Sequence, residues 1–379
     1  VRLAIIRQRY NPFGGAERFV ERAAAALGAQ GASISIIARA WDGTPESSRA
    51  VQWLRCDPRY LGRRARDASF ARAACALVER ERFDLVQSHE RIACCDIYRA
   101  GDGVHRQWLD YRARAGSALV RLALQASPYH RYVLAAERAL FASKRLRAVI
   151  CNSRMVRDDI RRHFALAEDK LHVIYNGVDI ERFHPDLCAV HRDAQRRALR
   201  IAHDEFVYVF VGSGFKRKGV PQLLAAFAQL PQRQSARLVI VGKDRHEARM
   251  KGAAARLGIA DRVVLAGPQR DVAPWYAMAD AFVLPTLYDP FPNAALEALA
   301  CGLPTITTNQ CGAAELIERG RNGFICNALD VAGLADAMHA LRDLPPADAR
   351  AAARAAAEGL SLSAMAERLI ALYRALALA

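Results

Sequence analysis

The sequence predicts an α/β chain of two doubly wound, Rossmann-like domains, and three observations carry that reading. At 379 residues it is too long for one ordinary hydrophobic core and about right for two. Short β-branched runs alternate with longer helical stretches along almost its whole length, and the alternation restarts after a polar, charge-rich stretch from Asp179 to Arg200. Strand, helix, strand in that rhythm requires a parallel sheet covered on both faces, because parallel neighbours need a crossover connection.

In the first half LAIIR (3–7), ISIIAR (34–39), DLVQSH (84–89), AVICNS (148–153) and HVIYNG (172–177) read as buried strands, with helices over 15–29 and 154–164. In the second half the strands are FVYVFVGS (206–213), RLVIVGK (237–243), RVVLAG (262–267), AFVLPT (281–286) and PTITT (304–308). Helices lie between them near 219–230, 246–257, 271–279 and 293–301. The expected domains are 1–180 and 181–360, with a linker near 180–200. Ligands of such sheets bind at the carboxyl ends of the strands, so two facing sheets imply one cleft between the domains.

Hydrophobic residues make up 52% and charged residues 25%, a globular composition. No run approaches the roughly 18 apolar residues of a membrane span, and LAIIRQRY lacks the zones of a signal peptide, so a cytoplasmic protein is expected. The nine cysteines are odd in number and never spaced C-x-x-C, and Cys94 and Cys95 are adjacent; all are expected reduced and mostly buried. Net charge is +16, and it is uneven: residues 1–185 hold 32 Lys/Arg against 20 Asp/Glu, residues 186–379 only 23 against 19. The first half is therefore expected to face something anionic, a membrane surface or a nucleic acid; the alternative is an Arg-rich surface that merely reflects a genome of high GC content. A nucleic acid is disfavoured, because aromatics are 8% and none interleave with the basic clusters.

Two loops suit a phosphate. Gly14 and Gly15 follow the first strand and precede a helix, where a ligand can approach backbone N–H groups at a positive helix end, although such a pair is more often a tight turn. Lys216, Arg217 and Lys218 stand just ahead of the helix near 219–230, opposing its dipole unless an anion is bound. In TLYDPFPNAALEALACGLPTI (286–306), Asp289 and Glu297 flank a rigid Pro-Phe-Pro spacer. Asn293 is expected to cap the helix that carries Glu297.

An acid, seven residues and a second acid in this setting, together with NPFGGAERF, ICNSRMVRDDI, VIYNGVDIERFHP, GFKRKGV and VGKDR, resembles the retaining glycosyltransferases of family 4, which have the GT-B fold. Within that family the chain is most similar to the lipopolysaccharide core glucosyltransferases. The resemblance implies that Glu297 binds the ribose of a nucleotide sugar and that Asp289, where members usually carry Glu, faces the donor sugar, helped by the backbone of Phe291, Pro292, Asn293 and Ala294. The resemblance also implies that Arg217 and Lys218 hold the diphosphate in place of a metal, so no metal or cofactor is expected, and that Gly14, Gly15 and Arg270 join the donor-binding candidates. Asp102 and His105, with His89 and Glu90 as further candidates, would supply the polar residue against the sugar from the first domain, and the helix 361–379 would pack back on it. Retention is attributed to front-side displacement, with the leaving phosphate taking the acceptor's proton.

The implied donor is UDP-glucose and the implied acceptor the heptose region of a lipopolysaccharide core. UDP-galactose, GDP-mannose or ADP-heptose on another glycan, and a nucleotide-sugar epimerase of the same fold, are the alternatives. Residues 105–132, with five Arg and one Asp, read as a single amphipathic helix, with Trp108, Tyr111, Ala115, Leu119 and Leu122 on one face and Arg106, Arg114 and Arg121 opposite. That pattern suits a peripheral helix on the anionic inner face of the inner membrane, or alternatively a helix packed on the core.

Overall fold

The computed structural model describes residues 2–10, 33–41, 51–231 and 233–378, which divide into two compact units: Val1–Gly177 with Leu362–Ala379, and Val178–Ser361. The expected helix over 15–29 lies outside the described residues.

Among the described residues the first unit is built on a seven-stranded sheet: β1 (Arg2–Ile6), β2 (Ser33–Ala38), β3 (Val51–Arg55), β4 (Leu85–Ser88), β5 (Ile97–Arg99), β6 (Ala148–Cys151) and β7 (Leu171–Val173). They pair in parallel in the order β3-β2-β1-β4-β5-β6-β7. Two of them, β3 and β5, have no counterpart in the sequence reading. VQWLR is a half-exposed edge strand without an apolar run, and IYR is three residues ending in the buried Arg99.

Alternation along the strands makes two cores. Leu3 and Ile5 face one way, onto Leu362, Met365, Leu369, Leu372 and Tyr373 of the last helix, Leu362–Leu378. Ala4 and Ile6 face the other way, onto Phe70, Ala74 and Val78 of α1 (Gly62–Glu81). Residues 105–132 are not one helix. They form α2 (His105–Arg114), α3 (Ala118–Ala126) and the start of α4 (Pro128–Phe141). Ser117 caps α3 by accepting from the Val120 N–H, and Ser127 caps α4, whose first residue, Pro128, cannot continue the preceding helix. The expected helix over 154–164 is α5 (Arg154–His163).

The second unit carries β8 (Phe206–Val211), β9 (Ala236–Val241), β10 (Val263–Gly267), β11 (Ala281–Leu284), β12 (Thr305–Thr308) and β13 (Gly323–Cys326), all parallel, in the order β10-β9-β8-β11-β12-β13. The stretch 180–200, read as a linker, instead contains α6 (Leu187–Ala198). Its charges looked like a solvated connector, yet Arg192 and Arg196 both grip the Asp280 carboxylate, at 2.6 and 2.7 Å, and Arg196 is buried. The helices α7 (Val220–Ala228), α8 (Glu247–Arg256), α9 (Ala273–Ala277) and α10 (Asn293–Ala300) follow where expected.

The cysteines need a correction. Cys75 on α1 and Cys94 in the loop after β4 form a disulfide across a Cα separation of 5.8 Å, and the other seven are thiols. Adjacency of Cys94 and Cys95 is no obstacle, because Cys95 turns inward and donates to the Ile92 carbonyl, while Cys94 meets the helix. Burial pushes the Cys95 thiol up to about 12, so it stays protonated.

Candidate active site

The second unit assembles Asp289, Glu297 and the basic loop at the carboxyl ends of β8 and β11. After β8 the chain turns through Gly214 to Gly219, and the Phe215 N–H is held by the Asp244 carboxylate at 2.8 Å. Gly219 has φ of +79° and packs so tightly that a Cβ there would run into the Pro285 carbonyl, so only glycine brings this loop onto the one after β11. Three hydrogen bonds then zip the loops together. The Arg217 carbonyl accepts from the Leu287 N–H at 2.9 Å and the Thr286 hydroxyl at 3.3 Å, and the Arg217 guanidinium donates to the Tyr288 carbonyl at 3.1 Å.

This zipper sets both cations on the first acid. Lys218 Nζ lies 3.3 Å and Arg217 Nη1 3.6 Å from Asp289 Oδ2. The Asp289 backbone is fixed on its other side, where its N–H donates to the Gln310 carbonyl and its own carbonyl accepts from Gly312. The Lys218 side chain is 12% exposed and that of Arg217 42%, so one cation sits inside and the other reaches out. Lys216 is exposed on the same loop. Three cations against the Asp289 and Asp244 carboxylates still leave a positive excess, which an anionic ligand would neutralise.

Phe291 and Pro292 are buried; Asn293 and Ala294 are the first two residues of α10. The cap is Pro292, and Asn293 is already the first helical residue, which corrects the expected cap. Pro292, with extended backbone and a carbonyl that accepts from the Ala295 N–H, does that work itself. Glu297 is half-buried on the same helix, and its Oε2 accepts from the Tyr276 hydroxyl at 3.0 Å. Arg270 stands exposed beyond the end of β10, two strand positions from β8, and does not join the pairs on Asp289. Gly14 and Gly15 lie outside the described residues.

The first unit gathers its candidates around a cavity of about 760 Å³, lined among others by Arg7, Gln8, Tyr60, Glu90, Arg91, Asp102, His105, Tyr129 and Tyr132. Asp102 is exposed in the turn after β5, and His105 opens α2 with its Nε2 3.1 Å from His130 Nδ1. Burial, with Arg91 adding, lowers the His105 pKa to about 3, so the ring is neutral at physiological pH. His89 is held well below its ordinary value by burial and by Arg7 and Arg99, whereas burial and the Asp102 charge raise Glu90.

Sequence reasoning missed Glu137, the buried hub of this loop. Its carboxylate accepts from Arg91 at 3.0 Å and from the His105 N–H at 2.8 Å, which fixes the segment carrying Asp102 and His105. The signal was an acid on the apolar stripe Val133, Glu137, Leu140 of α4. Tyr276 was missed as well, although a buried phenol needs a partner.

Two family models match nearly the whole chain: "Glycosyltransferase Family 4" over residues 13–182 and "Glycosyl transferases group 1" over residues 191–358. The chain belongs to the family 4 glycosyltransferases. It is accordingly an enzyme, a hexosyltransferase with the GT-B fold. Lipopolysaccharide glucosyltransferase WaaG of Escherichia coli is 24% identical over 326 residues, which are 85% of this glycosyltransferase and 84% of WaaG. The crystal structure of WaaG, a glycosyltransferase involved in lipopolysaccharide biosynthesis, superposes with a TM-score of 0.82 at 24% identity, covering 97% of this chain and 98% of that one. Anabaena Alr3699/HepE in complex with UDP-glucose superposes with a TM-score of 0.73 at 20% identity, covering 99% of each chain.

Proposed function

We propose that this glycosyltransferase moves glucose from UDP-glucose, with retention, to the heptose region of a lipopolysaccharide core. The observation that carries the reading is the Arg217–Lys218–Asp289 cluster, which puts fixed cations beside a carboxylate at the carboxyl ends of β8 and β11. The cations take the donor diphosphate and neutralise the charge it gains on leaving, the work a divalent metal does elsewhere, and Glu297 accepts from the ribose hydroxyls. Asp289 and the start of α10 face the sugar. The acceptor hydroxyl attacks the anomeric carbon from the face the diphosphate leaves. The bond to the leaving oxygen breaks, and that phosphate takes the hydroxyl proton. Similarity to WaaG supports the choice of sugar and acceptor, and likeness to a fold seen with UDP-glucose supports the donor.

In the first unit the cavity beside Asp102 and His105 is the acceptor and sugar-contact region of this reading. Its mixture of tyrosines, carboxyls and arginines suits a polyhydroxylated ligand. A thermal-shift panel tests the donor, because a ligand bound only by the native state raises the melting temperature. UDP-glucose gives the largest shift on this reading. A larger one from UDP-galactose, GDP-mannose or ADP-heptose overturns it, and turnover of free UDP-glucose without acceptor would point to epimerisation.

The same reading places the enzyme, from the cytoplasmic side, on the inner membrane surface. Among the described residues no helix is long and apolar enough to cross a membrane. Instead α3 leaves Leu119 79% and Leu122 64% exposed beside Arg121. A second element adds to it. Leu61, 93% exposed at the start of α1, precedes Arg63 and Arg64, and the Arg63 guanidinium lies 4.3 Å from the Tyr129 ring centroid on α4. Exposed leucines among arginines suit an anionic interface, at about 1 kcal/mol per basic residue near the surface. Co-sedimentation with anionic vesicles is expected to fall with salt, to be absent with neutral vesicles, and to weaken when Arg112, Arg114 and Arg121 are reversed to Glu, with activity on a soluble acceptor kept. Binding indifferent to salt and lipid charge would exclude this surface.

A further inference from the structure

We infer that Tyr276 is a positioning residue for nucleotide binding: its phenol holds the Glu297 carboxylate in the orientation that grips the ribose. The inference deepens the proposed donor site and rests on the ribose role of Glu297. Tyr276 is fully buried on the short helix α9, twenty-one positions before Glu297, and its hydroxyl lies 3.0 Å from Glu297 Oε2 and 3.2 Å from the Ala294 carbonyl. One proton shared between those acceptors ties the acid side chain to the first turn of its own helix. Glu297 itself is half-buried whereas Tyr276 is fully buried, so the phenol reaches the carboxylate from the interior.

The post that carries the phenol is rigid. The Tyr276 ring packs edge-on against Phe183 and Phe282, at centroid distances of 6.0 and 6.1 Å. Directly after α9, the Met278 and Ala279 carbonyls accept from Arg192 at 3.1 Å, and Met278 also accepts from Arg196 at 3.0 Å. Burial and the neighbouring Glu297 charge hold the Tyr276 phenol well above its ordinary pKa, so it remains a donor at any physiological pH. The phenol is thus a fixed donor behind the carboxylate, and ordering that carboxylate in advance lowers the cost of binding.

Calorimetry with UDP and with 2′,3′-dideoxy-UDP separates this role from a merely structural one. The wild type is expected to prefer UDP by about 10- to 100-fold, the worth of one or two hydrogen bonds to a charged group. Tyr276→Phe, which leaves no cavity, should weaken UDP about 3- to 10-fold and leave dideoxy-UDP unchanged. In a Glu297→Ala background the same substitution should change neither affinity. Equal losses for both nucleotides, or no loss for UDP, overturn the inference while leaving the ribose role of Glu297 standing. A wild type that binds both nucleotides alike, or neither, overturns that role itself and the inference with it.

Discussion

Replacing Arg217 and Lys218 together by glutamine lowers kcat/KM on the order of 10³-fold or more, the range seen when preorganised donors to a developing oxyanion are removed. The diphosphate gains charge as the glycosidic bond breaks, and these two side chains are the fixed cations at the carboxyl ends of β8 and β11. The fold should survive, because two of the three bonds that join the loops, those from Thr286 and Leu287, run to the Arg217 carbonyl, and only the one from its guanidinium to the Tyr288 carbonyl is lost. Circular dichroism checks the fold, and initial rates with UDP-glucose check the loss. If the two cations replace a metal, wild-type activity also persists in EDTA. An enzyme that dies in chelator and revives with magnesium or manganese would show the assignment to be wrong.

Glu297→Ala weakens UDP on the order of 10- to 100-fold, since it removes a carboxylate that accepts from the ribose. Asp289→Ala behaves in the opposite way. It contacts only the sugar on this reading, so turnover collapses while UDP affinity is kept or even rises, because Lys218 at 3.3 Å and Arg217 at 3.6 Å lose the acid that competes for them. Calorimetry on the two variants separates the roles. Equal UDP affinity for Glu297→Ala and wild type sinks the ribose assignment, and a large loss for Asp289→Ala would mean that this acid orders the nucleotide pocket.

Much of the second unit was legible because its information is local. FVYVFV, LVIV and AFVL are continuous apolar runs, and a strand buried on both faces needs little else to be recognised. The basic loop and the acidic stretch were legible as well, since each is a short segment placed next to a strand end. Two elements of the first unit were not. VQWLR alternates too weakly at the sheet edge, and IYR is too short to show a period. Residues 105–132 have helical spacing throughout, but Gly116 and Ser117, then Ser127 and Pro128, break the chain into three helices, and period alone does not register a cap.

The sequence by itself determined the class of fold, two parallel α/β sheets, and the residues that carry the glycosyltransferase motif, because hydrophobic period, turn residues and short motifs are all properties of neighbouring positions. Only the tertiary structure decided who meets whom. It paired Cys75 with Cys94, turned the supposed linker into a helix that clamps Asp280, put Lys218 and Arg217 on Asp289, made Glu137 the anchor of the Asp102–His105 loop and set Tyr276 behind Glu297. The physical reason is that a charge, hydroxyl or thiol meets the partner that the packing of strands and helices brings to it, at separations of 19 residues for the disulfide and 71 for the Lys218–Asp289 pair, far beyond any local pattern.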